Sequence, residues 1–145
     1  MNAEPLEILL AEDNDDDALM TKEAFAKANV INTIHVVKDG EEAMAYLRKQ
    51  GPYRAAPTPG VVLLDVRMPK KDGFETLKEI KSDPLLRHLP VIMLTTSSRE
   101  EDIMKSYSEG ACSYIPKPVG FQNFHEVAKL FNLYWTLVSR IPTSR

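Results

Sequence analysis

No stretch of this chain approaches the roughly 20 apolar residues that a membrane span requires, and the polar opening Met1-Asn2-Ala3-Glu4 has none of the features of a signal peptide. These absences lead us to expect a soluble, cytoplasmic protein with no membrane partner. A single cysteine, Cys112, excludes an internal disulfide and suits a reducing compartment. We read it as a small buried residue. Basic residues are scattered, and the net charge of −3 gives nucleic-acid binding no electrostatic footing. There is no Gly-rich phosphate loop, no Ser-His-Asp or Cys-His set, no internal repeat and no low-complexity tract. His35, His88 and His125 fall on separate segments without ligand spacing and read as structural or surface residues. With 145 residues, one domain and one core are expected over 1–145, with no DNA-binding or catalytic output region.

What the chain does have is a set of apolar runs that each finish on a polar group. Ile8-Leu9-Leu10-Ala11 ends in Glu12-Asp13, and Val61-Val62-Leu63-Leu64 ends in Asp65. Val91-Ile92-Met93-Leu94 ends in Thr95, and Tyr114-Ile115-Pro116 ends in Lys117-Pro118. Near-continuous apolar runs of this length are expected of strands buried on both faces of a parallel sheet. In such sheets ligands bind at the carboxyl edge. Three acids, a hydroxyl and a lysine at strand ends describe a site for a metal ion and a phosphoryl group.

Between the runs the periodicity is helical. Asp15, Asp16 and Asp17 open an Ala-rich helix ending near Ala28-Asn29, where acids favour the positive end of the helix dipole. Thr33 to Val37 reads as a second strand, and Asp39-Gly40 leads into a helix carrying Ala43, Met44 and Leu47. Pro52, Pro57 and Pro59 exclude helix and central strand from Gln50 to Gly60, so this segment reads as an extended loop. A helix with Phe74, Leu77 and Ile80 on one face follows the strand at 61–65 and stops at Asp83-Pro84. Helices opened by Glu100-Glu101-Asp102 and spanning about 121–139, with a short strand at 113–115 between them, complete five β-α units. The expected fold is α/β: a flavodoxin-like doubly wound sandwich with parallel strand order 2-1-3-4-5.

Converging carboxylates repel one another, so Glu12, Asp13 and Asp65 require a retained proton or a cation among them. All-oxygen ligands favour a hard ion, and so few protein ligands favour Mg2+. Asp13, Asp15 and Asp17 begin like a calcium loop, but Ala18 and Ala24 occupy the positions that need Gly and Glu, which rejects an EF-hand. A carboxylate beside Mg2+ can attack phosphorus and form an acyl phosphate. Lys117 can supply positive charge and Thr95 a hydrogen bond to the phosphoryl oxygens.

The ordered segments Ala11-Glu12-Asp13-Asn14, Leu64-Asp65-Val66-Arg67-Met68-Pro69, Asp72-Gly73, Leu94-Thr95-Thr96 and Tyr114-Ile115-Pro116-Lys117-Pro118 resemble the receiver domain of two-component response regulators. The resemblance covers residues 6 to about 138. It implies that Asp65 is the phosphoacceptor, and that Glu12, Asp13, Asp65 and the backbone carbonyl of Arg67 hold Mg2+. It implies that Lys117 contacts the phosphoryl group, and that Thr95 and Tyr114 form a switch pair. It implies transfer from the phosphohistidine of a sensor histidine kinase or phosphotransfer protein, in a signalling switch rather than a turnover enzyme. The first acid is Glu where Asp is more frequent, and Pro116 makes the fifth strand an edge or irregular strand. The proline-rich loop, Lys70-Lys71-Asp72-Gly73, the segment Ser82 to Arg87 and the tail Tyr134 to Val138 narrow the resemblance. They are similar to single-domain regulators paired with bacterial and cyanobacterial phytochrome kinases.

Two rival readings use the same residues. A haloacid-dehalogenase-type phosphatase also has an Asp nucleophile after a strand, but it needs a second Asp two residues on, where this chain has Arg67. A phosphorylation-independent scaffold with the receiver fold is expected to lose an acid or Lys117, and this chain retains them all.

The last helix, with its extension to 141, predicts a homodimer. At about 100° per residue, Phe121, Phe124, Val127, Phe131 and Trp135 share an arc able to cover the sheet. Leu130, Leu133, Tyr134, Leu137 and Ile141 form a neighbouring arc. Together they exceed what one sheet face can bury, and the same helix of a second copy across a two-fold axis is the simplest cover.

Overall fold

Val61 to Leu64 are all fully buried, and a strand with no polar alternate face has to be covered on both sides. The computed structural model describes residues 6–27, 32–95, 105, 108–111 and 113–116, and within them that requirement organises the fold. Five parallel strands, β1 (Leu6–Ala11), β2 (Asn32–Val37), β3 (Val61–Asp65), β4 (Val91–Thr95) and β5 (Ser113–Pro116), form one sheet in the order 2-1-3-4-5. Helices α1 (Asp15–Lys27), α2 (Gly40–Leu47) and α3 (Gly73–Ser82) alternate with them. The order is the one expected from the sequence.

Strand alternation divides the core in two. Leu9, Val62, Leu64 and Met93 face α2 and α3, where they meet Met44, Leu47, Leu77 and Ile80. Ile8, Leu10, Leu63, Ile92 and Leu94 face the other way, onto Ala18, Ala24 and Phe25 of α1. Each fully buried Leu or Ile contributes about 1.5–3 kcal/mol relative to exposure. β3 is the central strand, with β1 beside it, and both are buried from end to end of their paired residues.

Each helix starts on a side chain that accepts a backbone N–H. The Asn14 carbonyl oxygen accepts from the Asp17 N–H at 2.9 Å, so Asn14 shares with the acids the work of opening α1. Asp39 accepts from the Glu42 N–H at 2.7 Å. Asp72 and Glu75 form a reciprocal capping box at the start of α3, with bonds of 2.8 and 3.3 Å. The α3 helix ends at Ser82, where Asp83 is the C-cap, as Asp83-Pro84 predicts. Leu77 and Ile80 are buried on its inner face, and the half-buried Phe74 ring lies under the Lys105 ammonium, 4.5 Å from the ring centre.

The segment before β3 departs from the expectation of an extended loop free of helix. Gly51–Tyr53 forms one 3₁₀ turn with Pro52 in its opening positions. A single turn demands no N–H from its first residues, so proline is compatible there. Strand boundaries move by a residue: β1 starts at Leu6, β2 at Asn32, and β5 runs through Pro116. β5 pairs with β4 alone, so Pro116 closes an edge strand, the position the sequence required of it. His35 is a partly exposed residue, paired with Glu7 at 3.0 Å, and His88 is exposed. Cys112, His125, the helix opened by Glu100 and the helix at 121–141 lie outside the described residues. Among the described residues no helix is long and apolar enough to cross a membrane.

Candidate functional site

Parallel pairing brings the ends of β1 and β3 to one level. Ala11 is in register with Leu64, so Glu12 and Asp65 follow at neighbouring strand ends. The Glu12 N–H donates to the Val37 carbonyl at 2.9 Å, and the Val66 N–H to the Leu94 carbonyl at 2.9 Å, which extends sheet order past both acids. One carboxylate oxygen each from Glu12, Asp13 and Asp65 lie within 4.8 Å of one another. Glu12 is fully buried, Asp65 is 5% exposed and Asp13 is open to solvent. The Asn14 N–H donates to Glu12 Oε2 at 3.3 Å.

Such a set has two buried members and one exposed member at its mouth. Like charges this close, two of them desolvated, favour a bound cation or a retained proton. The donors are all oxygen, which selects a hard ion, and three carboxylates leave coordination positions for water and a phosphoryl oxygen. The residues present therefore fit Mg2+.

Other residues singled out from the sequence fall around this cluster. Arg67 lies two residues past Asp65 in the loop between β3 and α3, with an exposed side chain. Thr95 ends β4, one residue beyond Leu94, which is in register with Asp65. Tyr114 lies in β5 opposite Met93. The side chains of Thr95 and Tyr114 and the whole of Lys117 lie outside the described residues.

Two glycines matter more to the site than the sequence reading allowed. A Cβ on Gly73 would overlap the Asp65 carbonyl oxygen, and one on Gly40 would overlap Thr76 Oγ1 and the Lys71 carbonyl oxygen. Both follow an N-cap aspartate, in Asp39-Gly40 and Asp72-Gly73. That repeated pair, each time opening a helix beside the acid edge, was the available signal. An ion-pair chain was not foreseeable from spacing. Lys71 pairs with Glu79, Glu79 with Arg48 at 2.6 Å, and Arg48 with Asp83 at 3.3 Å. The Lys71 hydrogen bond, joined by Arg48, holds the Glu79 carboxyl below its ordinary value despite partial burial.

A 2-1-3-4-5 parallel sheet with clustered acids at the ends of its first and third strands defines an α/β signalling domain of the receiver class. Residues 8–129 match the family of the response regulator receiver domain, and the chain belongs to that family. It is similar to response regulator Rcp1 of Synechocystis sp., at 34% identity over 97% of this chain and 95% of that one. The Mn(2+)-bound crystal form of Rcp1 superposes with a TM-score of 0.77 at 33% identity, over 97% of this chain and all of that one. The phosphorylated cyanobacterial phytochrome response regulator RcpA is 41% identical, with a TM-score of 0.80, over 97% of this chain and all of that one. The probable methanogenesis regulatory protein FilR2 of Methanothrix harundinacea is 38% identical over 96% of this chain and 89% of its own. This chain is thus a phosphoryl-accepting domain of two-component signal transduction.

Proposed function

We propose that Asp65 is the phosphoacceptor of a Mg2+-dependent histidine-to-aspartate transfer. The observation that carries this is the Glu12-Asp13-Asp65 cluster at the ends of β1 and β3, where only one acid is open to solvent. A carboxylate oxygen of Asp65 attacks phosphorus, the bond from phosphorus to the donor imidazole breaks, and the imidazole leaves as an acyl phosphate forms on Asp65. Bound among Glu12, Asp13, Asp65 and the Arg67 carbonyl, Mg2+ supplies charge neutralisation to the entering phosphoryl oxygens. Lys117 supplies a second positive charge and Thr95 a hydrogen bond. Thr95 and Tyr114 relay the new charge to the surface as a change of side-chain arrangement.

The protein acts on this reading as a cytoplasmic switch, not as an enzyme turning over a metabolite. Its phosphodonor is a sensor histidine kinase or a phosphotransfer protein. The likeness to RcpA supports a phytochrome kinase, and the comparable likeness to FilR2 supports a wider choice of sensor. The switch works as a homodimer through its C-terminal helix.

Incubation with a small-molecule phosphodonor and Mg2+, followed by intact mass and peptide mapping, tests the assignment. A single phosphate on the peptide containing Asp65, absent in Asp65→Asn, is the expected result, since an amide is too poor a nucleophile. Steady hydrolysis of the donor without an adduct points to a phosphatase, and an unchanged protein and donor point to a scaffold. A full adduct on the Asn variant would move the acceptor elsewhere.

A further inference from the structure

Beside β2, the edge strand at the opposite end of the sheet from β5, lies a cavity of about 300 Å3. It is walled by β2 at His35 to Val37, by Tyr46 of α2, and by the loop between Pro52 and Pro57. That volume stands at the small end of the range for small-molecule sites. None of its residues belongs to the acid cluster, so the cavity is independent of the role proposed for Asp65. The loop wall is held in place without a ligand. Pro52 and Pro57 fix φ, and the Tyr53 N–H donates to the Gln50 carbonyl at 3.0 Å. The Ala56 N–H donates to the Tyr53 carbonyl at 3.0 Å, and the Gly60 N–H ties the loop to the Glu7 carbonyl at 2.8 Å.

Three rings line the cavity. The centres of Tyr46 and Tyr53 are 5.2 Å apart at 57°, and those of His35 and Tyr46 are 5.7 Å apart at 38°. Tyr46 is 4% exposed, and its Oη is buried without a hydrogen-bond partner. Tyr46 therefore offers the cavity its ring and not its hydroxyl. Acids stand directly behind the other two rings: the Tyr53 hydroxyl donates to Glu42, and His35 pairs with Glu7 at 3.0 Å. A phenol that donates to a carboxylate carries a more electron-rich ring. The acids are felt at both phenols. Burial, and after it Glu7, raises Tyr46; burial, and after it Glu42 and Asp39, pushes Tyr53 up to about 12. Aromatic faces in a negative field repel an anion and attract a cation.

We propose that the cavity between β2, Tyr46 and the Pro52–Pro57 loop binds a small organic cation, an alkylated ammonium held against the Tyr46 and Tyr53 rings. The ammonium meets π faces rather than a carboxylate, so its alkyl groups and its charge are both accommodated. The exposed Pro52, Ala55 and Pro57 form the outer rim through which it enters.

Titration with choline, followed through the tyrosine ring signals by NMR, is the test. Its uncharged isostere, with carbon in place of the nitrogen, is the comparison. Saturable shifts at Tyr46 and Tyr53 are expected, with the isostere weaker by about tenfold. Tyr53→Leu should weaken choline by a similar factor. Tyr46→Phe should bind as the parent does and be no less stable, because the hydroxyl it loses has no partner. Ala55→Lys places a like charge on the exposed rim and should weaken binding without touching the core. It decides the matter even if Tyr53→Leu fails to fold. Absence of saturation, equal affinity for the isostere, parental affinity in Ala55→Lys, or a tenfold loss in Tyr46→Phe overturns the proposal. A trimethyllysine peptide binding at least tenfold more tightly than choline would overturn the free cation in favour of a partner's side chain.

Discussion

The Gly73 N–H donates to the Val66 carbonyl at 2.9 Å, and Gly73 lies so close to Asp65 that a side chain would overlap the Asp65 carbonyl oxygen. The start of α3 is thereby packed directly on the backbone of the proposed phosphoacceptor. Gly73→Ala must move one of two backbones, neither with room to yield. Overpacking of this kind costs about 1–3 kcal/mol, so urea unfolding should report a loss in that range. Adduct formation at Asp65 should slow as well. A variant of parental stability and rate would show that α3 does not constrain Asp65.

The acid cluster predicts a metal-dependent stability. An ion held among these acids in the folded protein has no such site in the unfolded chain, so on the proposed reading the unfolding midpoint should rise with free Mg2+ by mass action. Replacing Glu12 and Asp13 together by Ala should abolish that rise, because two of the three carboxylates within 4.8 Å are gone. Calorimetric scans across a Mg2+ series provide the check. A double variant that responds as the parent does would place the ion at another site.

Glu79 predicts part of the acid limb of the stability curve. The Lys71 hydrogen bond, reinforced by Arg48, lowers its folded-state pKa below the ordinary 4.5. The ionised carboxylate therefore contributes stability above that pH, and the contribution is lost as pH falls through the folded value. Glu79→Gln should cost about 1 kcal/mol near neutrality, the upper part of the range for surface pairs. It should also flatten the loss of stability below pH 4.5, measured by urea midpoints at a series of pH values. An acid limb as steep as the parent's would assign that loss to other carboxylates.

Tyr53 makes the complementary forecast at high pH. Burial first, then its hydrogen bond to Glu42, pushes its phenol up from 10.0 to about 12. A raised folded pKa contributes stability that is complete below the unfolded value of 10.0 and is lost as pH rises through about 12. Tyr53→Phe should remove this source of alkaline instability, and ultraviolet tyrosinate absorbance should show one fewer late-titrating phenol. Identical titrations of parent and variant would mean that Tyr53 ionises as a free tyrosine does.

The homodimer is the forecast that rests on sequence pattern alone. Leu133→Glu combined with Leu137→Glu should convert a dimer to a monomer by light scattering, since charges cannot be buried unpaired in an apolar seam. Monomeric parent and variant, phosphorylated or not, would remove the dimer from the proposed function.

By itself the sequence determined the strands, their parallel arrangement and the three acids. Runs such as Val61 to Leu64 have no polar alternate, and only burial on both faces accommodates that pattern. Proline and aspartate marked the helix limits, because a missing N–H or an accepting side chain acts locally. The Gly51–Tyr53 turn is not legible in the sequence because one 3₁₀ turn tolerates the proline that excludes a longer helix. Only the tertiary structure decided how close Glu12 and Asp65 come, since that distance depends on the β1–β3 register across the 52 residues between them. Only it joined Lys71, Glu79, Arg48 and Asp83, whose spacing along the chain carries no period. The backbone φ of 67° at Lys70 belongs to the same kind: lysine has no local preference for positive φ, and the Gly40 N–H of α2 reaches the neighbouring Lys71 carbonyl only in the folded chain.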